Sequence, residues 1–192
     1  VKIGFLGGSF DPIHFGHLCA AQDAHENMGL DKVIFVPAAQ APLKPGLVCA
    51  TDQQRFDMIE RVVSGDPRFE VSDYELRKGG VSYTIESVRH FRQMYPFEQL
   101  FWIIGGDQLA RLPLWVRIEE LVRMVEFICL DRPGNEATPA PAIPGLRLHR
   151  CPGHLLQISS TEIRDRAARN LPLDCLMPHK AIVYLKENTL YR

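Results

Sequence analysis

His14 and His17 stand three residues apart and follow a run of small residues, Gly7-Gly8-Ser9, in the stretch GGSFDPIHFGH at the head of the chain. Imidazoles at that spacing share one helical face and offer N–H donors suited to phosphate oxygens. A short apolar run, 2–6, precedes the glycines and reads as a buried strand; Asp11-Pro12 then turns the chain, and an amphipathic segment starts near Gly16. A strand, a small-residue turn and a helix start leave backbone N–H groups without partners, and the helix dipole there favours negative charge. The stretch therefore reads as a site for a nucleotide triphosphate, with the rest of the chain supplying a second substrate.

Two further places carry candidate chemistry. Gly105-Gly106-Asp107 follows the apolar run Leu100-Phe-Trp-Ile-Ile104, and Ile158-Ser-Ser-Thr-Glu-Ile-Arg164 puts three hydroxyls and a cation at the start of a helix. Taken alone, Asp107 reads equally well as a helix cap, and Ser159 to Arg164 as a well-capped amphipathic helix. The opening turn is neither a Walker loop nor the G-x-G-x-x-G fingerprint. With no Cys or carboxylate cluster beside the two histidines, zinc is disfavoured.

The elements that must position these residues alternate. Lys32–Val36 is a β-rich second strand after the first helix, which Gly29 stops. Pro37 to Ala50 is a proline-rich loop, Thr51 to Gln54 fits a capping box, and the helix it opens buries Phe56, Ile59, Val62 and Val63. Phe69–Val71 is a short strand. Ile85, Val88 and Phe91 mark a helix that begins after Ser82-Tyr83-Thr84 and stops at Pro96. Beyond Asp107 a helix is interrupted at Pro113 and resumes from Trp115 to Met124, ahead of a strand at Phe127–Leu130. Short strands are expected at Leu146–His149 and Leu155–Ile158, then a helix to about Arg169 and a last helix with Pro178 in its first position. This pattern predicts a Rossmann-like α/β fold: an open, mostly parallel sheet with helices on both faces and a small helical C-terminal part at 158–192, all in one domain, 1–192. In such a sheet ligands bind beyond the carboxyl ends of the strands, so the three candidate places converge on one rim.

The formal charge of −1 over 192 residues argues against non-specific nucleic-acid binding. Five scattered cysteines without a C-x-x-C pair read as reduced thiols, not a disulfide framework. No run approaches a membrane span and the N-terminus has no signal-peptide pattern. A cytoplasmic protein without membrane or nucleic-acid partners is expected; a homo-oligomer is compatible with the sequence.

GGSFDPIHFGH and ISSTEIR closely resemble the two signatures of the bacterial nicotinate-nucleotide adenylyltransferases, in the HxGH nucleotidyltransferase superfamily. SYTIESV (Ser82 to Val88) and WIIGGDQLARLPLW (Trp102 to Trp115) look like two further blocks of that family, and all four occur in family order. The resemblance implies adenylyl transfer from ATP, as substrate, to nicotinate mononucleotide, giving nicotinate adenine dinucleotide and pyrophosphate for NAD biosynthesis, with no covalent enzyme intermediate. It implies Mg²⁺ held mainly by the substrate phosphates, with no protein ligand named. Carried over residue by residue, it makes His14 and His17 catalytic and gives the triphosphate the backbone of Gly7, Gly8, Ser9 and Phe10. It adds Ser159, Ser160, Thr161 and Arg164 on the β- and γ-phosphates, Lys44 near phosphate, and Gly105 and Asp107 at the adenosine. Thr84 and Trp115 would form the nicotinate pocket, with Tyr83 beside it and Arg132 approaching the ligand.

The chain departs from the family's usual PAxxPPHK loop, reading Pro37-Ala-Ala-Gln-Ala-Pro-Leu-Lys44, with Ala41 for a proline and Leu43 for a histidine. Gly106 replaces the alanine of GAD. The rival readings are an adenylyltransferase for nicotinamide mononucleotide, phosphopantetheine or FMN, a cytidylyltransferase, and a catalytically silent nucleotide sensor.

Overall fold

The computed structural model describes residues 1–42, 49–131, 138–154 and 156–192. Six strands form one parallel sheet in the order β3-β2-β1-β4-β5-β6: β1 Lys2–Gly8, β2 Lys32–Pro37, β3 Phe69–Val71, β4 Gln99–Gly105, β5 Glu126–Asp131 and β6 Leu148–Pro152. Strand order reverses between β1 and β4, the topological switch point where open α/β sheets bind ligands. The register sets Leu6 beside Ile103, so the Gly7-Gly8 and Gly105-Gly106 ends leave the sheet at one level.

Side chains alternate between the two faces, as the period of a strand requires. Leu6, Val33, Phe35, Phe101, Ile103 and Ile128 join one apolar cluster, while Ile3, Phe5, Ile34, Val36, Trp102 and Phe127 join the other. The first face is covered by α1 (Phe15–Met28), α2 (Asp52–Val63), α7 (Ser160–Ala168) and α8 (His179–Glu187), which contribute Ala21, Met58, Ile163 and Ile182 to its cluster. The second is covered by α4 (Thr84–Met94), α5 (Gly106–Arg111) and α6 (Ile118–Met124), through Val88, Leu109 and Leu121. The C-terminal helices thus share the first cluster with the sheet.

Local signals act as their chemistry dictates. Gly29, at φ 57, ends α1 in the left-handed region with its N–H on His25 O. Thr51 and Gln54 exchange hydrogen bonds at the start of α2, Thr51 N–H to Gln54 Oε1 at 2.9 Å and Gln54 N–H to Thr51 Oγ1 at 3.2 Å.

Three expectations need correction, and one element has no counterpart among them. A short helix, α3 (Tyr74–Lys78), follows β3 with no strong apolar period to announce it. The break at Pro113 is a 3₁₀ turn, Leu112–Leu114, and α6 resumes only at Ile118, since Trp115 lies extended at ψ 138 and Arg117 is left-handed at φ 55. No strand exists at 156–158, and position 155 lies outside the described residues. Pro178 is the N-cap of α8 and not its first helical residue. Between β5 and β6, which pair in parallel, no helix occurs among the described residues, and Pro139, Pro141 and Pro144 suit the loop found there.

Candidate active site

The opening turn is built to present N–H groups, because its carbonyls are drawn into the protein. Gly8 O accepts from Ala38 N–H at 2.8 Å, and His14 O accepts from His17 N–H at 3.0 Å. Ser9 O accepts from Arg55 Nη1 at 2.6 Å, Asp11 O from Arg164 Nη1 at 2.8 Å and Pro12 O from Ser160 Oγ at 2.9 Å. An anion approaching this turn meets few carbonyl dipoles. Two glycines permit the close packing. A Cβ on Gly8 would stand 3.1 Å from Phe10 Cζ, and one on Gly16 would stand 3.0 Å from Cε1 and Nδ1 of His14.

His14 is the N-cap of α1 in extended conformation, and its ring stacks on that of His17 with centroids 3.7 Å apart. The His14 N–H donates to His17 Nδ1 at 3.3 Å, so a neutral His17 carries its proton on Nε2. Phe10 also meets His17, edge-on, at 4.8 Å. Burial holds the His14 imidazole down at about 4, and it is therefore neutral at physiological pH. Its Nδ1 is buried and, among the described residues, has no hydrogen-bond partner. A buried polar nitrogen left this way is rare in a finished fold.

The second motif faces the first across the rim and is tied to it. Ser159 is the N-cap of α7, its Oγ accepting from Glu162 N–H at 3.1 Å. Ser160 and Arg164 reach back to the main chain of Pro12 and Asp11, and Arg164 Nη2 also meets Thr161 Oγ1 at 3.2 Å. Thr161 is exposed. Gly105 caps α5 at ψ 171, and Asp107 stands exposed in the first turn of that helix. Thr138 packs so tightly on Gly106 that a Cβ there would come 2.6 Å from its Oγ1.

Tyr83 and Thr84 open α4, Tyr83 as the N-cap, and both are half-buried. Trp115 is half-buried on the same apolar cluster as Tyr83, edge-on to Phe127 at 6.2 Å. Lys44 and Arg132 lie outside the described residues.

Three site residues escape a motif-based reading. Asp11 is buried, and its carboxylate accepts Cys49 N–H at 2.6 Å, Ala50 N–H at 3.1 Å and Tyr191 Oη–H at 2.7 Å. That contact and burial push the Tyr191 phenol far up, burial contributing most. Arg55 is fully buried in α2; its signal in the sequence is an arginine in phase with the apolar Met58 and Ile59. Glu75, in α3, is buried and raised above the usual carboxylate range by desolvation, against which the Ser87 and Ser82 hydroxyls act. Ser82 Oγ in turn accepts Ala39 N–H at 3.0 Å, so the start of α4 is fastened to the end of β2.

Among the described residues, no group of three or more His, Cys, Asp or Glu is arranged to hold a metal ion. The donors near the two histidines are imidazoles, hydroxyls and a guanidinium. No helix among them is long and apolar enough to cross a membrane.

The sequence matches a family model described as cytidylyltransferase-like over residues 5–166. A curated relative in Opitutus terrae, "Probable nicotinate-nucleotide adenylyltransferase", is 62% identical over 192 residues, covering 100% of this chain and 98% of its own. A relative of the same name in Methylacidiphilum infernorum is 39% identical over 99% of this chain and 92% of its own. Among solved structures, a Plasmodium falciparum nicotinic acid mononucleotide adenylyltransferase complexed with NaAD superposes with a TM-score of 0.72 at 21% identity, covering 99% of this chain and 97% of that one. At that identity the structural likeness speaks for the fold.

Proposed function

We propose that this chain, which belongs to the cytidylyltransferase-like family and within it to the nicotinate-nucleotide adenylyltransferases, transfers the adenylyl group of ATP to nicotinate mononucleotide. The observation that carries the reading is the paired clamp: His14 and His17 on one side of the rim, and the α7 N-terminus on the other, joined through Asp11 and Pro12.

In this reading the triphosphate lies between the α1 and α7 N-termini, with the backbone of Gly7 to Phe10 beneath it. An oxygen of the mononucleotide phosphate attacks the α-phosphorus in line, the bond to the β-phosphate oxygen breaks, and pyrophosphate leaves. His17 offers its Nε2–H to the phosphoryl oxygens as charge shifts to the leaving group. The His14 imidazole, neutral before ATP arrives, acts on the phosphate oxygens beside the His17 ring on which it stacks. Ser159, Ser160, Thr161 and Arg164 hold the β- and γ-phosphates, and Asp107 accepts from the ribose hydroxyls, because a carboxylate takes two hydrogen bonds. Thr84, Tyr83 and Trp115 form the nicotinate pocket, the indole lying against the pyridine ring. Lys44 and Arg132 complete the phosphate and acceptor contacts.

Mg²⁺ is assigned to the substrate phosphates, and among the described residues no group of three or more His, Cys, Asp or Glu is arranged to hold it. Bound there, it neutralises charge on the triphosphate oxygens. The phosphorylated small-molecule substrates suit a cytoplasmic enzyme of NAD biosynthesis folded as one domain.

The test is pyrophosphate release from ATP and Mg²⁺ with a panel of acceptors. Release with nicotinate mononucleotide is expected. Release with phosphopantetheine or FMN alone would reassign the acceptor, and no release with any acceptor would favour a nucleotide sensor.

A further inference from the structure

We propose that Arg55 is a positioning residue of the triphosphate site, setting the Ser9–Phe10 peptide so that its N–H faces the bound anion. The proposal rests on the reading of the opening turn as the ATP site. Arg55 is the largest fully buried side chain, at 0% exposure. Its Nη1 donates to Ser9 O at 2.6 Å and to Ala38 O at 2.7 Å, and its Nη2 pairs with Asp52 Oδ1 at 2.6 Å.

Burying a guanidinium is costly, and an apolar side chain of similar volume commonly fills such a place as well or better. What an apolar side chain cannot do is hold two carbonyls at once. Those carbonyls lie just past the ends of β1 and β2, so one cation fastens the phosphate turn to the neighbouring strand.

The consequence follows from the peptide plane. In a trans peptide the C=O and N–H point in opposite directions. With Ser9 O drawn onto α2, the N–H of Phe10 is turned away from α2, out of the core. Phe10 pays for this with a left-handed backbone, φ 47, which a non-glycine residue adopts only when its surroundings insist. The insistence has two parts besides Arg55. The Phe10 ring is buried edge-on against Phe35 at 5.7 Å and His17 at 4.8 Å, and Gly8 has no Cβ to obstruct it. Arg55 thus acts on the anion through a backbone amide it does not itself donate, and its own charge adds a fixed positive potential under the turn.

The test is ATP binding measured by calorimetry, with thermal melting as the fold control, on Arg55→Lys and Arg55→Ala. Lysine keeps the charge, but its stem is shorter and it offers one nitrogen where Arg55 uses two, Nη1 on both carbonyls and Nη2 on Asp52. Both variants should bind ATP roughly tenfold or more weakly. The KM for the mononucleotide should stay within about twofold, since the change is confined to one substrate. Guanidinium added to Arg55→Ala should restore part of the ATP affinity by refilling the cavity. Wild-type ATP affinity in a folded Arg55→Lys would overturn the proposal. So would guanidinium that raises the melting temperature of Arg55→Ala without restoring ATP binding, which would assign Arg55 to stability alone. Should Arg55→Ala fail to fold, Arg55→Lys decides. A wild-type chain that binds ATP but does not use nicotinate mononucleotide would correct the acceptor and leave this inference standing.

Discussion

Arg164 donates Nη1 to the main-chain oxygen of Asp11 at 2.8 Å, joining two residues 153 positions apart in the chain. With Ser160 on Pro12, this bond makes the two motifs assigned to the triphosphate one body. Each motif is ordinary in isolation: a strand-to-helix turn and a capped helix. Their union places two helix N-termini on one rim of the sheet at the β1–β4 switch point.

Arg164→Ala should therefore weaken ATP in two ways, by removing a cation from the clamp and by loosening α7 from the opening turn. We expect at least a tenfold loss of ATP affinity. We also expect a melting temperature lower by a few degrees, since each lost hydrogen bond contributes about 1 kcal/mol. ATP titration and thermal melting read the two effects separately. A lower melting temperature with unchanged ATP affinity would limit Arg164 to the fold.

His14 predicts a pH dependence of stability. Its folded pKa of about 4 lies below the ordinary 6.5, so the unfolded chain takes up a proton that the folded one refuses. The contribution is present above pH 6.5 and is lost as pH falls towards 4. At ~1.4 kcal/mol per unit it amounts to about 3 kcal/mol. Urea unfolding at pH 7 and pH 4.5 should show this loss in the wild type, and a markedly smaller one in His14→Asn. Equal losses in both would mean that His14 is hydrated in the native state.

Gly16→Ala separates chemistry from folding. Alanine is the better helix former by about 1 kcal/mol. Its Cβ would nonetheless sit 3.0 Å from the His14 ring, which must shift by a few tenths of an ångström. The melting temperature should hardly change while kcat falls about tenfold or more, because phosphoryl transfer depends on placement of the ring. Unchanged kcat in a folded variant would show that the stacked His14–His17 pair tolerates displacement.

The sequence was informative wherever a local signal was also the physical cause. Gly29 stops α1 because it alone enters the left-handed region at no cost, and Thr51 with Gln54 caps α2 within four residues. The alternation of apolar strands with helices was enough to place the sheet, and two of the three rim segments proved to be hydrogen-bonded to each other. What was hidden depends on long-range partners. Asp11 gains its meaning from Cys49, Ala50 and Tyr191, the last 180 positions away. Arg55 looks like a misplaced surface residue until the Ser9 and Ala38 carbonyls stand beside it. The helix expected from Trp115 to Met124 starts only at Ile118, because left-handed Arg117 delays it and leaves the indole on an extended segment against Phe127.

The central claim is direct transfer of an adenylyl group between two substrates that the chain only holds. The most direct measurement is product analysis with an ATP analogue chiral at the α-phosphorus, incubated with Mg²⁺ and nicotinate mononucleotide. One in-line displacement predicts one nicotinate adenine dinucleotide per pyrophosphate, with inverted configuration at that phosphorus and with turnover falling about a hundredfold in His17→Ala at little change in KM. Retained configuration, or pyrophosphate released without the dinucleotide, would contradict the account.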